Sequence, residues 1–313
     1  MDPMTHTLAG AVMARAGLDE RTPLAAATLM LAANAPDIDI FIMFAGQYDG
    51  LAFRRGWTHG PSAWLLLPVI LTGLVMAWDR WVRLRRDPAK TPIDPAGILL
   101  LAVIGVLSHP ALDWLNTYGI RLLMPFSDRW FYGDAVFIID PWIWLALGAA
   151  LLWPRRTVRR VRIVGGVVVG YVLAMIVMSN VAESIAQRAA VTQGIASVEE
   201  VMYAPQPAQP LKGGLIVVTP EEYRLGEFRW IGGERVRLDG RVIARGDWSA
   251  DVVQRAMLQE DVRDYLTWSR FPFVRHEGAT SDGRAVFFGD ARFTDGVGGS
   301  LEGVRVVVPT GTE

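Results

Sequence analysis

Long apolar runs in the first 181 residues predict a bundle of membrane-spanning helices. Each run is close to the roughly 17–25 residues that an α-helix needs to cross a bilayer. The four runs cover residues 61–78, 93–112, 135–153 and 163–181. Two shorter helices, over about residues 5–16 and 24–35, precede them and predict a compact or re-entrant hairpin. Thr22 is placed to cap the second of these helices, with Pro23 at its first position.

The pattern changes after about residue 190, where short alternating stretches replace the long apolar runs. Strands are predicted over residues 215–219, 222–230, 235–238, 241–244, 284–293 and 304–308. A helix over residues 250–268, capped by Ser249, separates the fourth strand from the fifth. Asp239-Gly240 is a hairpin-turn sequence. Three prolines predict a stiff linker before this region: Pro205, Pro207 and Pro210.

We therefore predict an all-α, multi-helix integral membrane bundle over residues 1–190, followed by a soluble α+β domain over residues 191–313. Hydrophobic residues make up 51% of the 313-residue chain and the mean hydropathy is +0.26, which is apolar for a soluble protein. The net charge of −1 gives no indication of nucleic-acid binding. Because the chain has no cysteine, disulfides are excluded and any metal site must use histidine and carboxylate.

The second long run ends with an imidazole and a carboxylate four residues apart, His109 and Asp113. This spacing places both side chains on one face of a helix. A carboxylate within a membrane helix costs about 2.5–3.5 kcal/mol on insertion scales, so its presence indicates a functional site. Pro110 is expected to kink the helix or to end its regular part. The alternative is that both side chains only reach interfacial water.

Three further polar motifs contain residue types that bind metals. His6 opens the first short helix, and Asp37 and Asp39 follow the second in a turn that suits oxygen ligation of a metal. His59 directly precedes the run that begins at residue 61. Taken singly, solvated turn carboxylates and an interfacial histidine beside Trp57 are the simpler interpretations.

The charges of the loops predict that these motifs lie on one side of the membrane. Basic loops at residues 80–90 and 155–162 are expected to stay in the cytoplasm. The histidines and aspartates then fall at the opposite, outer ends of the spans, which chance scatter does not favour. We therefore expect a metal centre there, with the C-terminal domain also outside. Residues 1–15 lack the basic start and apolar core of a cleavable signal peptide.

This ordered set of motifs resembles the YdjM-type membrane-bound metal-dependent hydrolases of bacteria. The resemblance covers about residues 1–185 and implies a multi-pass protein of the bacterial inner membrane. The motifs that carry it are Thr5-His6, Pro36-Asp37-Ile38-Asp39, Arg55-Gly56-Trp57-Thr58-His59, Ser108-His109, Asp113-Trp114 and Gly119.

A more distant similarity is to the zinc-dependent phospholipase C and P1 nuclease superfamily, and it implies metal ligation and phosphoester hydrolysis. The matching positions are His6, Asp37, Asp39, His59, His109 and Asp113. Two features depart from that superfamily. The superfamily uses the free amino group of the mature chain as a ligand. The sequence at Met1 gives no sign of such processing. The superfamily also has later histidines, where this chain offers only Asp140, Asp128 or Asp134. One or two metal ions are therefore expected.

The expected function is a metal-dependent hydrolase at the outer face of the inner membrane, acting on a phosphoester in a membrane lipid or lipid-linked substrate. Zinc is the expected metal. Asp37, Asp39 and Asp113 would complete the metal site or serve as the catalytic base. Arg54 and Arg55 would bind an anionic head group, unless they are interface anchors. The sequence indicates no particular protein partner.

Three alternatives stay open on the sequence. The first is a non-catalytic protein in which a metal holds the helices together and the outer domain binds a partner. Such a protein would have a closed site with four ligands. A transporter would have charges along the bilayer and an inverted repeat, and neither is found. A protease is disfavoured because the chain has no His-Glu-x-x-His motif. His276 is expected to be an ordinary surface residue, and Asp290 and Arg292 are expected to form an ion pair at a strand edge.

Overall fold

The computed structural model describes residues 1–44, 46–153, 157–238, 240–294 and 301–309. Its internal contacts divide the chain into two compact units. The first unit contains Met1–Asp39, Arg55–Ser179 and Pro205–Pro210. The second unit contains Ile40–Arg54, Asn180–Ala204 and Leu211–Glu313. The boundary predicted at residue 190 lies inside the helix over Val158–Thr192, and the two units divide this helix between Ser179 and Asn180.

The described residues between positions 3 and 192 form eight α-helices. Their bounds are α1 (Pro3–Met13), α2 (Ala25–Ala32), α3 (Gln47–Phe53), α4 (Pro61–Trp78), α5 (Leu84–Arg86), α6 (Pro95–Trp114), α7 (Pro141–Leu152) and α8 (Val158–Thr192). Turns of π-helix over Ala14–Leu18 and Asp79–Arg83 extend α1 and α4, and a 3-10 segment over Ala35–Phe44 follows α2. The helical character predicted for this half of the chain is confirmed.

Three of the described helices are long and apolar enough to cross a membrane, namely those over Pro61–Arg86, Pro95–Trp114 and Val158–Thr192. Helix α2 and the 3-10 segment after it qualify together as a fourth candidate, with a bend of 46° between them. The spans predicted over residues 61–78, 93–112 and 163–181 are therefore confirmed as candidate membrane helices.

The helix predicted over residues 135–153 is shorter than predicted. Helix α7 has 12 residues, or about 18 Å at 1.5 Å per residue, whereas the hydrocarbon core of a bilayer is about 30 Å thick. Asp140 determines where this helix begins, because its carboxylate accepts the N–H groups of Trp142 and Ile143 at 2.9 and 3.0 Å. The apolar residues before Asp140 therefore lie outside the helix.

Helices α2 and α6 approach each other closely at a glycine. A Cβ atom on Gly105 would lie only 2.4 Å from the Cβ atom of Ala32. This close contact positions the C-terminal half of α6, which carries the predicted metal ligands. Helix α6 continues through Pro110 and ends at Trp114, so of the two effects predicted for the proline, a kink or an end, the helix end is not found.

The start of α2 also differs from the prediction. Leu24 occupies the N-cap position in a left-handed conformation, with φ of 65°, and no side chain caps this helix. The Thr22 hydroxyl instead accepts the backbone N–H of Asp94 at 2.8 Å. Thr22 therefore links the loop before α2 to the start of α6.

Eight strands follow residue 199, in two antiparallel sheets among the described residues. Their bounds are β1 (Glu200–Gln206), β2 (Gln209–Val218), β3 (Glu222–Arg229), β4 (Val236–Arg237), β5 (Val242–Ala244), β6 (Pro272–Thr280), β7 (Gly283–Asp290) and β8 (Gly303–Val308). One sheet has the order β1-β2-β3-β4, with β5 also paired to β3, and the other has the order β6-β7-β8. With helices α9 (Asp251–Ala256) and α10 (Glu260–Trp268), they confirm the predicted α+β class.

The three prolines predicted to form a linker lie in a hairpin instead. Pro205 is part of β1 and Pro210 is part of β2, and these two strands are neighbours in the sheet. Only Pro207 and Ala208 connect them, and Ala208 adopts a φ of 60°. The proline spacing therefore marks a tight turn, and the strand β1 that precedes it was missed.

The helix predicted over residues 250–268 is two helices, α9 and α10. Ser249 does not cap it, because both its N–H and its hydroxyl donate to the carboxylate of Asp247, at 2.9 and 2.6 Å. Ala250 holds the N-cap position and provides no side-chain hydrogen bond.

Two predictions about single residues in this region are confirmed. His276 is exposed on β6. The carboxylate of Asp290 pairs with the guanidinium of Arg292 at 2.9 Å, and both side chains are buried. The turn predicted at Asp239-Gly240 includes Asp239, which lies outside the described residues.

Candidate metal centre

Helix α6 presents His109 and Asp113 on one face, and both side chains are fully buried in the first unit. The Nδ1–H group of His109 donates to the carbonyl oxygen of Ala33 at 2.7 Å. Because a carbonyl oxygen can only accept, this bond places the proton of the neutral ring on Nδ1 and leaves the lone pair on Nε2. The close packing of α2 against α6 thus selects the tautomer of His109.

His59 lies in the turn before α4 and is oriented by a chain of hydrogen bonds. The Thr58 hydroxyl donates to Asp39 Oδ2 at 2.8 Å and lies 2.9 Å from Nδ1 of His59. Asp39 Oδ2 is 3.4 Å from the same nitrogen. Since the hydroxyl proton goes to the carboxylate, the Thr58 oxygen accepts the Nδ1–H group of His59. The lone pair of His59 therefore also lies on Nε2.

The Nε2 atoms of His59 and His109 are 3.1 Å apart. Asp113 Oδ2 lies 3.6 Å from each of them, and Asp37 Oδ1 lies 3.8 Å from Nε2 of His109. These four donor atoms are all within 4.8 Å of one another. Two lone pairs and a carboxylate oxygen repel one another at such distances unless a cation lies among them.

The donor set fits a divalent metal ion. Bonds of about 2.0–2.2 Å around a tetrahedral ion separate its donor atoms by roughly 3.3–3.6 Å, close to the spacings between the four donors. Imidazole and carboxylate are also the ligand types that zinc and related divalent metals take in the absence of thiolate. The cluster can therefore hold a metal ion with little rearrangement of its side chains.

The other oxygen of Asp113 has separate partners. The Nε2–H group of His6 donates to Asp113 Oδ1 at 3.1 Å, and the His6 ring stacks on the ring of His109 with centroids 3.8 Å apart. The amine of Met1 also donates to Oδ1, and burial lowers the pKa of this amine. Nδ1 of His6 has no hydrogen-bond partner among the described residues. His6 thus supports Asp113 and lies beside the four converging donors.

Arg55 reaches the centre from the turn before α4, and its side chain is buried. Its Nε atom lies 3.2 Å from Asp113 Oδ2. Its Nη1 atom donates to Asn116 Oδ1 at 3.0 Å and to the carbonyl oxygen of Gly119 at 3.2 Å. Its backbone N–H donates to Asp39 Oδ2 at 2.9 Å. Arg55 therefore connects Asp39 and Asp113 to the loop that follows α6.

Most of the residues predicted for the site come together in the first unit. The cluster consists of His6, Asp37, Asp39, Arg55, His59, His109 and Asp113. Arg54 belongs to the second unit and is half-buried.

The three residues considered in place of later histidines have the following contacts. Asp140 caps α7. The side chain of Asp128 is 85% exposed and lies 4.0 Å from Nη1 of Arg121. The main-chain oxygen of Asp134 accepts the hydroxyl of Ser179 at 2.7 Å.

Sequence reasoning missed two polar residues of this region. Thr58 belongs to the motif that precedes α4, but nothing in the sequence indicated that its hydroxyl links Asp39 to His59. Arg121 is buried beside the centre. Its N–H donates to the carbonyl oxygen of Arg55 at 2.9 Å, and its guanidinium lies 4.9 Å from the ring centroid of Trp130. Arg121 lies in an irregular loop, so no periodicity could have indicated it.

Comparisons with known proteins give one family and one relative. The sequence matches the YdjM inner membrane protein family over residues 1–182. It is 27% identical over 192 residues to a protein described as uncharacterized protein YfhP of Bacillus subtilis (strain 168). That alignment covers 57% of this chain and 54% of the relative, so the chain spans about half the length of the curated relative that it matches. No solved structure matches the chain.

Proposed function

The chain belongs to the YdjM inner membrane protein family, and we propose that it is a metal-dependent hydrolase of the bacterial inner membrane. The observation that carries the proposal is the convergence of the His59 and His109 lone pairs and Asp113 on one buried point. Ionisable groups in an apolar helix such as α6 are costly and usually serve a function. Binding a cation is a function that all of these groups can share.

Each residue of the cluster has a distinct part in the proposed chemistry. A bound divalent cation would lower the pKa of a coordinated water towards about 7 and polarise the scissile group. His59, His109 and Asp113, which are fully buried, would hold the ion. Asp37 has a side chain that is 13% exposed, and it would accept the proton of the attacking water. Asp39 would keep His59 oriented through Thr58.

Zinc is the metal that this assignment favours. Two imidazoles and one carboxylate, with the fourth position left to water, form a ligand set that catalytic zinc sites use. The Nδ1–H bond of His109 to Ala33 and that of His59 to Thr58 are outer-shell contacts of the kind that fix ligating histidines.

A membrane lipid or lipid-linked phosphoester is the proposed substrate. The cluster lies at the C-terminal end of α6 and directly before α4, two candidate membrane helices. Ile38 is 58% exposed and Trp57 is 48% exposed, and each neighbours residues of the centre in sequence. Exposed apolar side chains beside such a site suit contact with acyl chains and head groups.

We place the centre and the C-terminal region on the outer side of the membrane. Arg80, Arg83 and Lys90 lie between the end of α4 and the start of α6, and Arg159 and Arg160 lie at the start of α8. The basic residues between α4 and α6 are at the ends of those helices opposite the cluster, and those at the start of α8 precede its apolar stretch; basic loops favour the cytoplasm.

A second candidate function is a structural metal site in a protein with no catalytic activity. The full burial of His59, His109 and Asp113 favours it, because structural sites are closed whereas catalytic sites keep a position for water. In that case Asp37 would be a fourth ligand.

Substitution of Asp37 separates the two functions. Detergent-purified wild type and Asp37→Asn would be analysed for bound metal and for hydrolysis of bis(p-nitrophenyl) phosphate and of phosphatidylethanolamine in mixed micelles. The hydrolase proposal expects about one zinc per chain in both proteins, with activity of the wild type reduced at least 100-fold in the variant. Metal in the wild type without any turnover, and lost in Asp37→Asn, would favour the structural site. Wild type that binds no metal would contradict both.

A further inference from the structure

The surroundings of Asp113 point to the number of ions in the centre. Resting on the metal site of the proposed function, we propose that the centre holds a single divalent cation and that Arg55 takes the place of a second one. Arg55 is then a positioning residue for Asp113, and it is not a group that binds the substrate.

A second ion would need to share a carboxylate with the first, as paired ions about 3.5–4 Å apart do. Asp113 is a carboxylate placed for such sharing, and each of its two oxygens already has a charged or hydrogen-bonding neighbour that crowds the position of another ion. Oδ2 faces the two Nε2 atoms at 3.6 Å and Nε of Arg55 at 3.2 Å. Oδ1 accepts from His6 and from the Met1 amine.

Arg55 cannot readily leave its place beside Asp113. Its Nη1 atom is tied to Asn116 and Gly119, and its guanidinium lies 5.1 Å from the ring centroid of Tyr118. Its backbone, with φ of 56°, is held by the bond from its N–H to Asp39. Contacts at both ends of the residue therefore fix the positive charge next to Oδ2.

The charges of the cluster also match one ion. Asp37, Asp39 and Asp113 supply three negative charges and Arg55 supplies one positive charge, so one divalent cation makes the sum zero. A second would leave two positive charges; Arg121, which has its own carboxylate partner in Asp128 at 4.0 Å, is left out of both sums. Uncompensated charge in a buried site is strongly unfavourable. Arg55 thus supplies the positive charge that a second ion would otherwise bring.

His6 is assigned by the same geometry as a second positioning residue. Its Nε2 atom donates to Asp113 Oδ1, and this bond keeps that nitrogen from binding an ion. Its stacking on His109 places it against one of the ligands of the single ion.

The test counts ions and does not depend on turnover. Detergent-purified full-length wild type, Arg55→Gln and Arg55→Lys would be stripped of metal, titrated with Mn²⁺, and measured by elemental analysis and electron paramagnetic resonance. The wild type and Arg55→Lys are expected to hold one Mn²⁺ per chain and to give the six-line spectrum of an isolated ion. Arg55→Gln, which lacks the positive charge, is expected to take up a second ion and to give a spin-coupled spectrum.

Two Mn²⁺ ions in the wild type, or a coupled spectrum from it, would overturn this inference while leaving the proposed metal site intact. A folded Arg55→Gln protein that still holds one ion would also overturn it. If that variant cannot be purified, His6→Ala is measured in its place. One ion with the six-line spectrum would support the inference. Loss of the ion would contradict the positioning role assigned to His6. No binding of Mn²⁺ or Zn²⁺ by the wild type would instead contradict the proposed function.

Discussion

His59 and His109 direct their Nε2 atoms at each other across 3.1 Å, although 50 positions separate them in the chain. In each ring the opposite nitrogen donates its proton to a fixed acceptor, Thr58 Oγ1 for His59 and the carbonyl oxygen of Ala33 for His109. The protein therefore brings two lone pairs together in a buried site. This relationship is the reason to expect a bound cation, and the predictions below follow from it and from the packing that maintains it.

Replacing His109 with alanine is expected to abolish metal binding. The variant removes one of two imidazole ligands, so stoichiometric metal in the purified wild type should be lost. Because an ion at 100 times its dissociation constant stabilises the folded state by about 2.7 kcal/mol, a chelator should lower the melting temperature of the wild type and leave that of the variant unchanged. Elemental analysis and thermal unfolding in detergent provide the measurements.

The control for that experiment is His276→Ala, which removes an exposed histidine on β6 in the second unit. It should keep the metal content and the chelator response of the wild type. If His109→Ala and His276→Ala bind the same amount of metal, the ion is not at the proposed centre.

Thr58→Val is expected to weaken metal binding without removing a ligand. The hydroxyl that links Asp39 to His59 is lost, so the His59 ring is no longer held in one orientation. Loss of such an outer-shell contact typically reduces metal affinity about 10–100-fold. The buried Asp39 oxygen also loses a donor, which costs about 1–3 kcal/mol of folding stability. Competition with a chromophoric zinc chelator measures the affinity.

Thr58→Ser keeps the hydroxyl and is the matched control. It should bind zinc within a few-fold of the wild type. An affinity of Thr58→Val equal to that of Thr58→Ser would show that the relay through the hydroxyl does not matter.

Gly105→Ala is expected to disturb the centre from a distance. The added Cβ would lie 2.4 Å from that of Ala32, so α2 must move away from α6. Overpacking of this kind typically costs about 1–3 kcal/mol, and the shift should also weaken the bond from His109 to Ala33. The free energy of unfolding in detergent and the affinity for zinc should therefore both decrease.

Gly148→Ala in α7 provides the comparison, because a Cβ there meets no atom within 4 Å. Alanine is favoured over glycine in a helix by up to about 1 kcal/mol, so this variant should be as stable as the wild type or more stable. Equal stability of the two glycine variants would contradict the tight contact between α2 and α6.

Asp290→Asn is expected to remove a pH-dependent contribution to the stability of the second unit. Burial alone raises the pKa of Asp290, but the pairing with Arg292 and the hydrogen bond from Ser269 hold it below its ordinary value of 3.8. A carboxyl group whose pKa is lower in the folded state stabilises the fold above pH 3.8, and this contribution is lost as pH falls through the lowered pKa. At pH 7 the variant removes the carboxylate that neutralises the buried Arg292, which costs about 3–5 kcal/mol.

Chemical unfolding of the full chain, followed by tryptophan fluorescence, would measure this effect. The difference between wild type and Asp290→Asn should be the same at pH 7 and pH 5 and should shrink below pH 3.8. Trp268 reports on this region, because Arg292 lies 4.6 Å from the centroid of its ring. A difference that stays constant down to pH 2 would show that the Asp290 charge is not responsible.

The sequence by itself determined the elements that depend on local pattern. Helices α4, α6 and α8 follow from apolar runs, because the thickness of a bilayer sets the length of a crossing helix. The pairing of His109 with Asp113 follows from their spacing, because side chains four residues apart share a helix face. The α+β class of the C-terminal region followed from its short alternating stretches.

The sequence was misleading where a single polar contact decides how far an element extends. The run over residues 135–153 is apolar enough for a span, but capping by Asp140 shortens its helix to 12 residues. The prolines at 205, 207 and 210 resemble a linker, but the left-handed Ala208 closes them into a hairpin. The helix start depends on a side-chain cap and the hairpin depends on a backbone conformation, and hydropathy encodes neither.

Only the tertiary structure decided how the residues of the centre divide their roles. Asp39 was predicted as a metal ligand or its support, and the path of the loop places it beside Thr58 and His59. Arg55 was expected to bind a head group, and the turn before α4 buries it against Asp113. Long-range contacts between loops set these positions, whereas the sequence pattern encodes only which residues share a helix or strand face.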